Sequence, residues 1–200
     1  MTNRKHILRI ALMGLLAALA YVSFTFLKIN IPTPAGYTAF HLGNTFDVLA
    51  SLLLGGLYGG LAGAIGMGIG DILDPIYITV APKTIILKMM IGLVTGFVAH
   101  KIFKISELEG KKLTTAVFIS STCGMLFNCI GEPLFSYFYT SFVLNAPEKA
   151  AKKLAQWNAI TTFTNAILAV IIASLLYLAL RKRFENNNII KELAPRKKQD

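Results

Sequence analysis

The sequence predicts an all-α polytopic membrane protein with six transmembrane helices and both termini cytoplasmic, and three observations carry that reading. Of its residues 54% are hydrophobic and only 15% charged, with a mean hydropathy of +0.60, whereas a soluble domain carries about a quarter charged residues. Six mainly apolar stretches follow one another with little chain between them, and a bilayer-spanning helix needs roughly 20 such residues. The basic residues are unevenly placed. Arg4, Lys5 and Arg9 open the first stretch, Lys101, Lys104, Lys111 and Lys112 separate the fourth from the fifth, and Arg181, Lys182, Arg183, Lys191, Arg196, Lys197 and Lys198 follow the sixth. Six spans put all of these on one side, against Lys28, Lys149, Lys152 and Lys153 opposite, and an excess of Lys and Arg marks the cytoplasmic side. The net charge of +10 is thus a topology signal next to anionic lipid rather than a nucleic-acid footprint.

The expected spans are Ile7–Leu27, Thr45–Leu54, Leu57–Leu73, Thr84–Ile102, Leu113–Gly131 and Asn158–Leu180. The second is short unless it starts near Phe40. Residues 1–183 form one six-helix transmembrane substrate-binding domain in this reading, and residues 184–200 a polar, disordered cytoplasmic tail. The first span follows Arg4 and Lys5 but lacks a small-residue cleavage site before a soluble domain, so it is a helix rather than a leader. Gly14 and Ala18 lie four apart on it, a face smooth enough for close helix packing.

Residues 28–41, KINIPTPAGYTAFH, read as an ordered or hinged outer loop, because Pro32 and Pro34 forbid a helix and Gly36 permits a turn. Its Tyr37, Phe40 and His41 either cover a ligand or sit in the interfacial aromatic belt. Helix 2 sets Asn44, Asp47 and Ser51 on one stripe. Helix 3 places Gly56, Gly59, Gly63, Gly66 and Gly70 in one groove without side chains, suited to close approach of a neighbouring helix or of a flat ligand, with packing the preferred explanation, and with Met67, Asp71 and Asp74 beside it. Helix 4 follows the loop DPIYITVAP and carries Lys83, Thr84, Lys88 and Thr95; Lys83 can snorkel at the rim, whereas Lys88 lies deeper and needs a partner. Helix 5 aligns Ser121, Met125, Asn128 and Glu132, and Pro133 is expected to bend or end it. The following segment, with five aromatic residues in nine, reads as an interfacial connection. Helix 6 opens with Trp157 and carries Asn158, Thr161 or Thr162, and Asn165 on one side.

Depth gives these stripes their meaning. In the deduced topology they fall in the outer half of five helices, while Leu12–Leu16, Leu52–Leu54 and Ala169–Leu180 are apolar. Ionisable groups at membrane depth mark functional sites by default, and here they describe a cup open to the outside and sealed beneath. The candidate substrate-binding residues are Tyr37, His41, Asn44, Asp47, Asp71, Lys83, Lys88, Asn128, Glu132, Trp157, Asn158 and Asn165. Tyr37, Phe40, Tyr77 and Trp157 offer stacking surfaces. Four acids against two lysines favour a neutral or basic ligand.

No catalytic constellation is visible. Glu132 or Asp71 has no accompanying nucleophile and base, and His6, His41 and His100 lie far apart. Cys123 and Cys129 fall on different faces of one helix, so neither a disulfide nor a metal site is expected. A phosphate-binding loop of the Gly-x-x-x-x-Gly-Lys-Ser/Thr type is lacking, so the chain is expected to bind no cofactor and to hydrolyse no ATP.

Over nearly its whole length the chain resembles a substrate-binding S component of the energy-coupling-factor (ECF) transporters. The segment HLGNTFDVLASLLLGGLYGGLAGAIGMGIGDILDP, followed by APKTIILKMMIGLVTG, carries the most specific part of the likeness. The resemblance implies a subunit of the bacterial cell membrane, no enzyme, that captures a water-soluble vitamin or precursor under the first loop. It implies partners as well: a membrane scaffold (T) subunit and two cytoplasmic ATPases that use ATP, with inward release by toppling in the bilayer. An Ala-x-x-x-Ala docking motif on helix 1 matches Gly14 and Ala18, glycine replacing the first alanine. The side chains of the cup suit a small heteroaromatic ligand. The competing reading is an autonomous secondary transporter or facilitator, which predicts polar residues continuing to the cytoplasmic face.

Overall fold

The structure, a computed structural model, describes residues 2–185. Six helices and one hairpin make up these residues: α1 (Thr2–Phe26), β1 (Ile29–Thr33), β2 (Gly36–Phe40), α2 (Gly43–Leu54), α3 (Gly56–Ile72), α4 (Ala81–Phe97), α5 (Gly110–Phe138) and α6 (Glu148–Glu185). A π turn extends α4 through Val98–Ile102, and another extends α5 through Tyr139–Val143. The tail expected from residue 184 lies, beyond Glu185, outside the described residues.

At the centre stands α2, packed against α1, α3, α4 and α6. Eleven of its residues are buried. At 12 residues and 1.5 Å per residue it is about 18 Å long, short of the ~30 Å hydrocarbon core. Four segments are long and apolar enough to cross a membrane: Arg4–Phe26, Ile78–Ile102, Gly110–Val143 and Glu148–Arg183. The sharp α2–α3 reversal turns on Gly55, whose φ of 88° suits glycine.

The glycine stripe of α3 is an interface with three neighbours. A Cβ at Gly59 would meet Ser51 of α2, one at Gly60 the Met89 carbonyl of α4, and one at Gly66 the Ala17 carbonyl of α1. Gly92 and Gly96 of α4 fit in turn against Gly60 and Gly56. The helices therefore approach backbone to backbone, as small residues allow in membranes.

Three expectations are corrected. The first loop is an antiparallel hairpin, pairing Ile29 with Phe40 and Thr33 with Gly36; Pro32 is tolerated because a two-stranded ribbon has only edges. Pro133 does not end α5, which runs on to Phe138, since a proline in a membrane helix is accommodated by neighbouring groups. The aromatic segment is thus an extension of α5. Nor does α6 begin at Asn158; it starts ten residues earlier, at Glu148, where Ala and Lys favour helix and Glu148 pairs with Lys152 at 2.6 Å.

Below the hairpin, an apolar core of Leu16, Val48, Leu52, Ile91, Val117, Met125 and Ala173 fills the bundle. At the far end, side chains tie helix termini to their neighbours. Arg9 stacks on Tyr58 at the start of α3, His100 reaches the Ser51 carbonyl, and Arg181 of α6 grips the loop after α4.

Candidate binding cavity

Under the hairpin the five polar stripes converge. A cavity of about 70 Å³ is lined by Tyr37, His41, Asn44, Asp71, Lys83, Lys88, Asn128, Glu132, Asn158 and Asn165, ten of the twelve residues singled out in the sequence. The helical period explains the convergence: residues three, four or seven apart share one face, and each helix turns that face toward the same space.

The other two residues lie elsewhere. Trp157 is 39% exposed and does not line the cavity; neighbouring residues on a helix are 100° apart, so with Asn158 turned inward Trp157 faces outward. Asp47 is fully buried beneath the cavity. A Cβ added to Gly63 would stand 2.3–2.6 Å from its carboxyl atoms, so the missing side chain of α3 is what accommodates Asp47. Of the stacking candidates, Tyr37 and Tyr77 line the cavity and Phe40 does not.

Phe24, Thr38, Thr161, Ser136 and Leu154 also line it. Phe24 ends an apolar helix and gave no polar signal. Ser136 sits in the aromatic stretch that read as interfacial, and Thr38 was hidden until residues 36–40 paired as a strand.

Hydrogen bonds divide the wall into two parts. The hairpin side is closed upon itself. Asn165 accepts a hydrogen bond from the His41 amide at 3.1 Å and donates to the Ala39 carbonyl at 3.0 Å. The Thr38 and Thr161 hydroxyls are 2.7 Å apart. Tyr77 donates to Asn30 Oδ1 at 2.9 Å, and Lys28 pairs with Asp74 at 2.5 Å while lying 4.5 Å from the Tyr77 ring centroid. His41 Nδ1 accepts from the Gly43 amide, and its ring meets Phe24 edge to face at 4.8 Å. Burial, reinforced by Lys88, pushes the His41 pKa down to about 3, so the imidazole is neutral.

On the helix side, Lys83 is bonded to Glu132 and lies 3.4 Å from Ser136 Oγ, and Asn158 donates to that same Ser136 hydroxyl. Deeper in, partners run out. Asn44 (2% exposed), Asp71 (1%) and Asn128 (1%) line the cavity. Among the described residues Asn44 Oδ1 and Asn128 Oδ1 have no hydrogen-bond partner, and the Asp71 carboxylate has only the Thr84 hydroxyl beside it, outside direct hydrogen-bond geometry. Lys88 lines the same space near Glu132, Asp47 and Asp71, within salt-bridge distance of no acid among the described residues. Leaving a buried polar group unmet costs ~1–3 kcal/mol, and these oxygens can accept hydrogen bonds from a molecule carrying donors. Among the described residues no group of three or more His, Cys, Asp or Glu could hold a metal.

Gly14 and Ala18 are far from the cavity, exposed on α1. A Cβ at Gly14 would touch nothing within 4 Å.

Comparison with known proteins agrees with this architecture. Residues 4–182 match the family model described as ECF-type riboflavin transporter, S component. Among solved structures, ThiT from Listeria monocytogenes superposes with a TM-score of 0.66 at 17% identity, covering 90% of this chain and 98% of its own; at that identity the likeness is one of fold. No curated protein matches the chain.

Proposed function

The chain belongs to the family of ECF-type riboflavin transporter S components, a transporter family rather than an enzyme family, and on that premise we propose that it captures a small vitamin or vitamin precursor outside a bacterial cell. The single observation supporting a ligand here is the deep floor of the cavity, where buried oxygens of Asn44, Asp71 and Asn128 lie beside Lys88 with acceptor capacity that the described residues leave unfilled. A ligand for this floor brings hydrogen-bond donors. It carries no net negative charge, because Lys83 is already taken by Glu132 and Lys88 faces Asp71 and the buried Asp47. Phe24, Tyr37 and Tyr77 supply ring surfaces, which favours a small heteroaromatic molecule.

The cavity of about 70 Å³ is far below the ~300 Å³ at the lower end of small-molecule sites. The hairpin therefore has to lift or shift to admit the ligand, and its bonds to α6 and to the α3–α4 connection are the ones that yield.

In this reading the chain spans the cell membrane several times with both termini cytoplasmic. It binds no cofactor, and energy comes from ATP used by two cytoplasmic ATPases through a membrane scaffold subunit. The exposed Gly14 and Ala18 surface is the scaffold contact: Gly14→Leu or Ala18→Leu abolishes energised uptake and spares binding, and normal uptake in both variants would remove that contact.

Purification from rich medium followed by mass spectrometry of the bound small molecule tests the capture role, with riboflavin and a panel of water-soluble vitamins as titration probes. A protein that co-purifies with nothing and binds none of the panel would overturn it. Autonomous transport is disfavoured because, apart from Asp47, the buried polar residues that interrupt the apolar core away from the cavity, Ser51, Thr95, Ser120, Ser121 and Ser174, are uncharged hydroxyls; substrate accumulation in vesicles lacking any ATPase would restore that alternative.

A further inference from the structure

At the opposite end of the bundle a second hollow opens, about 450 Å³, between the end of α4 and the start of α5. Its walls are Ile102, Phe103 and Leu108 on one side and Lys111, Lys112, Thr115 and Ala116 of α5 on the other. The two lysines lead to Thr115 and Ala116 by a spacing of four, so both pairs run along one helix face, cationic at the tip and small about 6 Å deeper. Lys111, Lys112, Lys101 and Lys104 are all exposed, and none is in an ion pair among the described residues.

The facing wall is held in place. Arg181, buried at the end of α6, donates to the carbonyls of Ile105, Ser106 and Leu108, at 3.4 Å for Ser106 and 2.9 Å for Leu108. One guanidinium thereby fixes the loop that carries Phe103 and Leu108, and brings Lys182 and Arg183 to the same end of the bundle.

We propose that this hollow is a binding site for one anionic phospholipid, its phosphate between Lys111 and Lys112 and its acyl chains against Ile102, Phe103 and Ala116. The charges are complementary, and the position at the ends of two membrane-spanning segments is where head groups lie; basic pockets of this kind recognise anionic lipids. A hollow near the hairpin end supplies the contrast. It is lined by Pro34, Pro147, Lys149, Lys152 and Lys153, but Lys152 is paired with Glu148 and no large apolar side chain is present to receive a lipid chain.

The test is native mass spectrometry of the full chain released from vesicles of mixed phosphatidylglycerol and phosphatidylcholine. The wild type retains one phosphatidylglycerol in preference to phosphatidylcholine. K111Q/K112Q lowers that preference roughly tenfold or more, as expected for two lysines beside an anionic head group, while K149Q/K153Q leaves it unchanged. The melting temperature of both variants stays at the wild-type value, which verifies folding. Equal retention of the two lipids, or full preference in K111Q/K112Q, would overturn the site. If K111Q/K112Q abolished energised uptake without changing lipid retention, the hollow would be a protein contact and the lipid assignment would fall.

Discussion

The hairpin wall and the deep floor of the cavity use the same kinds of side chain in opposite ways. Asn165, Thr38 and Tyr77 find partners in the hairpin backbone, Thr161 and Asn30; Asn44, Asp71 and Asn128, equally buried, have oxygens with no direct hydrogen-bond partner among the described residues, only Thr84 lying beside Asp71. In the proposed reading the difference separates residues that build the cavity from residues that meet its ligand, with Asp47, also without a direct partner but outside the cavity, belonging to neither group. An asparagine lining a pocket is therefore not evidence of ligand contact until its own hydrogen bonds have been traced.

That contrast is broken or sharpened by substitution. The largest effect is expected at the floor: Asp71→Asn lowers affinity for the co-purifying molecule by about a hundredfold, since hydrogen bonds to a charged group are worth up to ~3 kcal/mol. The melting temperature of the empty protein changes little, because asparagine keeps the shape of the side chain and an acceptor oxygen beside Thr84. Calorimetric titration together with a melting curve checks both, and a lower melting temperature with unchanged affinity would make Asp71 a structural residue.

Asn44→Ala and Asn128→Ala follow, each expected to weaken binding roughly tenfold, about one neutral hydrogen bond, again without loss of thermal stability. Asn165→Ala should behave in the reverse manner. It removes two bonds holding β2 to α6, so the melting temperature falls and the ligand dissociates several times faster, while association is unaffected or quicker; stopped-flow kinetics separate the two rates.

The smallest effect is assigned to the Lys28–Asp74 latch. Burial pushes the Asp74 carboxyl up, but the hydrogen bond from Lys28, the Ile76 amide and the Lys28 charge outweigh it and hold the pKa below the ordinary 3.8. A lowered carboxylate pKa stabilises fully above the ordinary value and is lost as pH falls through the lowered one. From neutral pH down to the ordinary carboxylate range the latch should make no pH-dependent contribution to dissociation, and Lys28→Met should raise the rate only slightly throughout. A large pH dependence there that Lys28→Met removed would show the latch titrating where it should not.

Much of this was legible in the sequence because helical periodicity and membrane cost act together. Asn44, Asp71, Lys88, Asn128 and Asn158 are expensive where they lie, and a polar stripe on an apolar helix has few places to point. The rest was hidden for identifiable reasons. Asp47 satisfies the same pattern as Asn44 but is taken up by the gap at Gly63, a packing relation between α2 and α3 that no single-helix stripe contains. Trp157 was credited for its ring, though its position beside Asn158 turns it away. Residues 29–40 read as a loop because their prolines mask a two-residue period, and with the strand went Thr38. Pro133 obscured the continuation of α5, and with it Ser136, which bonds to both Lys83 and Asn158.

A structure of the protein with its co-purified ligand tests the division between builders and binders most directly. The account predicts polar ligand atoms within about 3.2 Å, ordinary hydrogen-bond reach, of Asn44, Asp71 and Asn128, with Asn165 still bonded to the hairpin backbone. A ligand held by Asn165 and the hairpin, leaving Asn44, Asp71 and Asn128 untouched, would contradict it.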